Sequence, residues 1–204
     1  GYKNYEDWLN SLIAKGANFD EIYKECVIPS PCWMVYKTDF DKCGGFTPNT
    51  YPEDYDLAFR FFKYGLKCIT IDEVLHLWRD YPVRTSRIDV NYAENSFLEL
   101  KVNYFLELSY QKERKLIIWG AGTKGKKIAQ LLIDKKVPFD WICDNPKKIS
   151  KVIYGQTLKP VNYLSSVENP QCIISVANRE AQLEIKQFLK SFEMSALNDY
   201  FFFC

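Results

Sequence analysis

The 204-residue chain has one histidine, two methionines and no Cys-x-x-Cys pair. His76 and seven scattered cysteines (Cys26, Cys32, Cys43, Cys68, Cys143, Cys172 and Cys204) supply no zinc-ligand spacing. Long apolar runs are also missing. Runs such as residues 116–119 and 200–203 fall far below the ~18 residues needed to cross a bilayer, so no membrane span is expected. Cys68, Cys143 and Cys172 lie in apolar stretches where a free thiol acts as a small hydrophobe, which favours a reducing, cytoplasmic setting. The start Gly1-Tyr2-Lys3 has neither an initiator nor a leader, and the chain is expected to be a fragment. What is present is ordinary for a folded protein: 47% hydrophobic and 26% charged residues exclude disordered and collagen-like classes.

The formal net charge of +1 conceals an asymmetry. Residues 1–112 carry 13 basic and 17 acidic side chains, a net of −4, whereas residues 113–204 carry 14 and 9, a net of +5. Such a step predicts two units. Helical spacing of Phe97, Leu100, Lys101, Tyr104, Phe105 and Leu108 ends at the polar run Gln111-Lys112-Glu113-Arg114, which places the boundary at 112/113.

Beyond it, strands are predicted at 115–119, 139–143, 171–176 and 200–203, and helices at 124–135 and 179–192. A turn at Gly155 and a short helix at 161–166 lie between them. Strands separated by helices imply an α/β domain with a parallel sheet. The first unit is less regular, with helices predicted at 4–15, 20–25 and 54–64 and strands at 33–36 and 68–71. It reads as an α/β sheet that lacks its opening βαβ half.

Gly120-Ala121-Gly122-Thr123-Lys124-Gly125 is a G-x-G-x-x-G between a predicted strand and a predicted helix. In that context the glycines allow a tight turn and bring phosphate oxygens to helix N-terminal N–H groups. Asp144, after the next strand, is placed to accept from ribose hydroxyls, and Lys124, Lys126 and Lys127 add positive charge. The same glycines also serve a helix that merely crosses close to a strand.

In the first unit, Tyr51-Pro52-Glu53-Asp54-Tyr55-Asp56 puts Glu53 and Asp54 at a helix start, where the macrodipole favours their ionised forms. A carboxylate there can act as general base toward a hydroxyl, or simply cap the helix. Gly44-Gly45-Phe46 and Pro48-Asn49-Thr50 mark a turn-rich loop before it. Farther on runs Glu73-Val74-Leu75-His76-Leu77-Trp78-Arg79-Asp80-Tyr81-Pro82, with His76 expected to pack on a strand.

Together with Pro29-Ser30-Pro31-Cys32-Trp33 and Cys43-Gly44-Gly45-Phe46, this order resembles the distal half of a family-2 glycosyltransferase of the GT-A type. The resemblance implies that the chain is the acceptor-side part of such a domain, followed by a small Rossmann-like domain. It implies that Asp54 deprotonates the acceptor hydroxyl beside Glu53, and that Trp78 and Arg79 lie near the acceptor or leaving diphosphate. It further implies a nucleotide-sugar donor, inverting transfer, and a divalent metal (Mg or Mn) whose D-x-D ligands precede residue 1. Arg84 and Arg87 add cationic charge toward a departing diphosphate. The domain pair, with Asn4-Tyr5-Glu6-Asp7-Trp8 and the aromatic end at 200–203, resembles the queuosine-tRNA galactosyltransferase group and its bacterial relatives. Two other readings stand beside it. One is a nucleotide or nucleotide-sugar binding module built on Gly120, Gly122, Gly125 and Asp144. The other is an RNA-interacting domain, with tRNA as partner, because ten of the second unit's 14 basic residues fall between 114 and 151.

Overall fold

A computed structural model describes every residue except 1, 49, 72, 80 and 93–96, so Asn49 and Asp80, quoted above, lie outside the described residues. The chain forms two compact units, Gly1–Phe97 and Leu98–Cys204. The division falls before the expected 112/113. The reason is the helix Leu98–Leu108, whose Val102 and Phe105 are fully buried. Phe105 meets the rings of Phe201 and Phe203 at 4.9 and 6.0 Å, which assigns the helix to the second unit.

The first unit contains α1 (Tyr2–Lys15), α2 (Lys37–Lys42), α3 (Glu53–Lys63) and α4 (Thr85–Ile88), with single 3-10 turns at Asn18–Glu21, Ser30–Cys32 and Val90–Tyr92. Helix α3 organises its core. Pro52 precedes it with a backbone already extended, and Tyr55, Leu57, Ala58, Phe59 and Phe61 are buried along it. Tyr55 stacks on Phe59 at 4.9 Å, Tyr23 meets the same ring at 5.3 Å, and the Tyr55 hydroxyl donates to the Ile22 carbonyl. A second cluster joins Leu57, Phe61 and Cys43 to Trp33, Phe40 and Leu66.

The strands expected at 33–36 and 68–71 are not formed, and no strand occurs among the described residues of this unit. Both segments are extended in sequence character, but a strand exists only through pairing, and neither finds a partner. Met34 and Ile69 stand 95% and 94% exposed. His76 is likewise exposed on an irregular segment rather than packed on a strand.

The second unit is α/β with a six-stranded mixed sheet, compatible with a Rossmann-like fold. After α5 (Leu98–Leu108) come β1 (Leu116–Trp119), α6 (Thr123–Asp134), β2 (Asp140–Cys143), β3 (Val152–Ile153), β4 (Gln156–Pro160), β5 (Gln171–Ile174), α7 (Arg179–Lys190) and β6 (Tyr200–Phe202). The strand order is β3-β4-β2-β1-β5-β6. Strands β1 and β5 are buried along their whole length, as central strands covered on both faces must be. All pairings are parallel except β3 with β4. That exception departs from the expected parallel sheet. Tyr154 and Gly155, with φ of 51° and 76°, form a two-residue connection, which can join only antiparallel strands.

From β1 the chain first builds outward through β2 and β4, then returns to place β5 on the other side of β1. The carboxyl ends of β1 and β5 therefore flank the point where the winding reverses, the usual crevice for ligands in open α/β sheets. Among the described residues, no helix is long and apolar enough to cross a membrane.

Candidate functional site

Helix α3 brings three carboxylates into its first turn, Glu53, Asp54 and Asp56, and the fold gives each a different partner. Asp56 is buried and paired to Arg60 one turn on, at 2.7 Å. Arg60 also donates to the Cys43 carbonyl, which ties the glycine-containing loop after α2 to the helix. That pair is structural.

Asp54 is half-buried, and its Oδ2 accepts from Ser30 twice, from Oγ at 3.3 Å and from the backbone N–H at 3.5 Å. Burial raises its proton affinity, and the adjacent Glu53 charge raises it further. Hydrogen bonds from the Ser30 and Tyr55 backbone and from the Ser30 hydroxyl work in the opposite direction and are outweighed. Burial and the Glu53 charge thus act against the ionisation that the helix terminus favours. Cys26 is buried beside the pair, its thiol pushed well up by burial and then by the Asp54 charge.

Glu53 faces a different donor. The Tyr92 hydroxyl gives a hydrogen bond to Glu53 Oε2 at 3.1 Å. Burial, then the Glu53 charge, holds the Tyr92 phenol well above its ordinary range. Its ring is met edge-on by Tyr51 at 6.3 Å and by Phe97 at 6.0 Å. Sequence reasoning does not single out Ser30 and Tyr92. They lie 24 and 39 positions from their carboxylates, and no spacing rule reaches that far. The prolines flanking Ser30 are the one local signal of a rigid donor.

Trp78 and Arg79 are not brought to this pair by any contact among the described residues. Trp78 is covered by the Arg84 guanidinium, 4.6 Å from its ring centroid. Arg79 is exposed. Arg87 is exposed as well. Among the described residues no three His, Cys, Asp or Glu side chains assemble to hold a metal ion. The divalent cation implied by the resemblance thus has no ligand set among the described residues.

In the second unit, the G-x-G-x-x-G lies between β1 and α6, and its three glycines differ in what surrounds them. A Cβ on Gly120 would fall 2.6 Å from Ser175 Oγ, and one on Gly125 would fall 2.1 Å from the Gly120 carbonyl oxygen. These two serve the close crossing of α6 over the strand ends. A Cβ on Gly122 would meet nothing within 4 Å. Gly122 caps α6 with no side chain bonded to the free N–H groups, so this backbone faces open space. Lys148 Nζ donates to the Ala121 carbonyl at 2.8 Å, which anchors the loop after β2 beside the glycines. Asp144 lies exposed one residue beyond β2. The Lys126 and Lys127 side chains are exposed in the first two turns of α6.

Chemically, the first unit offers a half-buried carboxylate of raised basicity, held by a hydroxyl and set beside a second, separately held carboxylate. The second offers a helix N-terminus open to an anion. No protein-family model, curated protein or solved structure matches the chain.

Proposed function

We propose that this chain carries the acceptor-activating part of an inverting glycosyltransferase of the GT-A type, with Asp54 as general base. The observation that supports the reading is the environment of Asp54: half-buried, fixed by Ser30 and raised in basicity by burial and by Glu53. A base toward an alcohol works best when its proton affinity is lifted toward working pH while it stays within reach of substrate. Asp54 takes the proton of the acceptor hydroxyl as its oxygen bonds the anomeric carbon of the sugar. The bond from that carbon to the diphosphate oxygen breaks, and its electron pair departs with the nucleoside diphosphate. Trp78 and Arg79, which no contact among the described residues joins to Asp54, are assigned to the acceptor and diphosphate side on the resemblance alone.

The test is Asp54→Asn in the longer protein, followed as nucleoside diphosphate release from nucleotide sugars. Turnover is expected to fall by roughly 10²–10⁴-fold with folding intact, whereas wild-type-like turnover removes Asp54 as base.

A second reading concerns the second unit, where the openness at Gly122 favours a nucleotide or nucleotide-sugar ligand at the carboxyl ends of β1 and β5. Calorimetry with UDP, UDP-sugars and NAD tests it, and silence with all three reduces the motif to packing.

A further inference from the structure

The two carboxylates at the start of α3 are adjacent in sequence, carry the same charge and lie in a partly desolvated site. Each such charge raises the proton affinity of the other. Here each is held from outside its own helix. Ser30 reaches Asp54 with both its hydroxyl and its backbone N–H, and both bonds fall on the same oxygen, Oδ2. Tyr92 reaches Glu53 with its phenol, on Oε2.

Both donors are themselves fixed. Ser30 opens a 3-10 turn between Pro29 and Pro31, so its backbone has little freedom. The Tyr92 ring is bracketed by Tyr51 and Phe97, each nearly perpendicular to it, at 79° and 88°. Of the neighbouring acids, Glu25 acts on the Cys26 thiol and Asp89, just ahead of Tyr92, acts on the Tyr92 phenol. These acids oppose ionisation at the site.

We infer that Ser30 and Tyr92 are positioning residues that divide the labour of the carboxylate pair: Ser30 aims Asp54 at the acceptor hydroxyl, and Tyr92 keeps Glu53 turned aside. The inference rests on Asp54 being the base. With its own donor on one oxygen, Asp54 meets the acceptor in a single orientation. Because these side-chain donors come from distant segments, they fix the pair relative to the rest of the unit.

The experiment is a carboxyl and phenol titration by NMR on the 204-residue chain, which needs no turnover. In Ser30→Ala, Asp54 loses a donor to its charged form, so it is expected to titrate at higher pH, and Ser30→Thr is expected to restore the parent value. In Glu53→Gln, the Tyr92 phenol keeps an amide oxygen to donate to but loses the neighbouring negative charge, so it is expected to titrate at lower pH. An Asp54 titration unmoved by Ser30→Ala, or a Tyr92 titration unmoved by Glu53→Gln, overturns the inference. Ser30 is exposed, so its replacement leaves the core in place. The two levels separate cleanly. If these titrations move as expected while Asp54→Asn retains turnover in the longer protein, the positioning stands and the base assignment falls. If the titrations stay fixed while Asp54→Asn is inactive, the base stands and the positioning falls.

Discussion

Arg114 shows how a single side chain can bind a unit together. Its guanidinium is buried and donates to the carbonyls of Asn169, Asn198 and Pro170 at 3.2, 3.0 and 2.6 Å, while pairing with Asp199 at 2.6 Å. Arg114→Ala removes the guanidinium from that carboxylate and three carbonyls, and it is expected to lower the unfolding free energy of the second unit by about 3–5 kcal/mol in a urea titration. Acid acts on the same bond. Burial pushes the Asp199 carboxyl up, but hydrogen bonds from the Ser195 backbone, Arg114 and the Ser195 hydroxyl bring it below its ordinary range. Its folded form therefore binds its proton less readily than its unfolded form. The stability it contributes is present above the unfolded value near ~3.9 and is lost as pH falls through the folded one. Asp54 has the opposite sign: its contribution is fully present below the unfolded value and is lost as pH rises through the raised folded one. A base kept in that state costs the first unit stability at neutral pH. The glycines make a third case at this scale. Gly125→Ala drives a Cβ into backbone and is expected to cost about 1–3 kcal/mol or more by denaturant unfolding. Gly122→Ala fits in open space and is expected to leave unfolding nearly unchanged, while weakening any anion bound at α6.

At the scale of elements, what was legible in the sequence depended on whether an element completes itself locally. Helices α3, α6 and α7 begin within a residue of their predicted starts, because apolar periodicity and terminal residues lie inside the helix. Asn178, for example, caps α7 by accepting from the Ala181 N–H at 2.8 Å. Strands β1, β2 and β5 were legible because continuous apolar runs mark strands covered on both faces. The segments at 33–36 and 68–71 carry similar residues and form nothing, since strand character without a pairing partner is only a propensity. Residues 67–77 make no backbone hydrogen bond among the described residues. Their amides are expected to exchange with deuterium far faster than those of β1 and β5, as read by mass spectrometry. Slow exchange across 67–77 requires a pairing partner and contradicts this description.

For the whole molecule, the decisive correction is the place of α5. A chain beginning at Leu98 retains Val102 and Phe105 in the core of the second unit, whereas one beginning at residue 113 loses them. The shorter chain is expected to be less stable by about 3–6 kcal/mol in thermal or urea unfolding, the value of burying two such side chains. Equal stability of the two chains would place the helix outside the unit. The charge step and the polar run at 111–114 pointed to a boundary in the right region, but they mark where regular βα alternation starts rather than where the core ends. By itself the sequence determined the βα order of the second unit, the glycine turn at 120–125 and the acidic start of α3, because each is written in residues within a turn or two of one another. Only the tertiary structure decided the strand order, the burial that makes Asp54 more basic, and the donors that hold the pair. Those depend on segments 24 and 39 positions apart meeting in space, and on water being excluded where they meet. Periodicity carries no record of either.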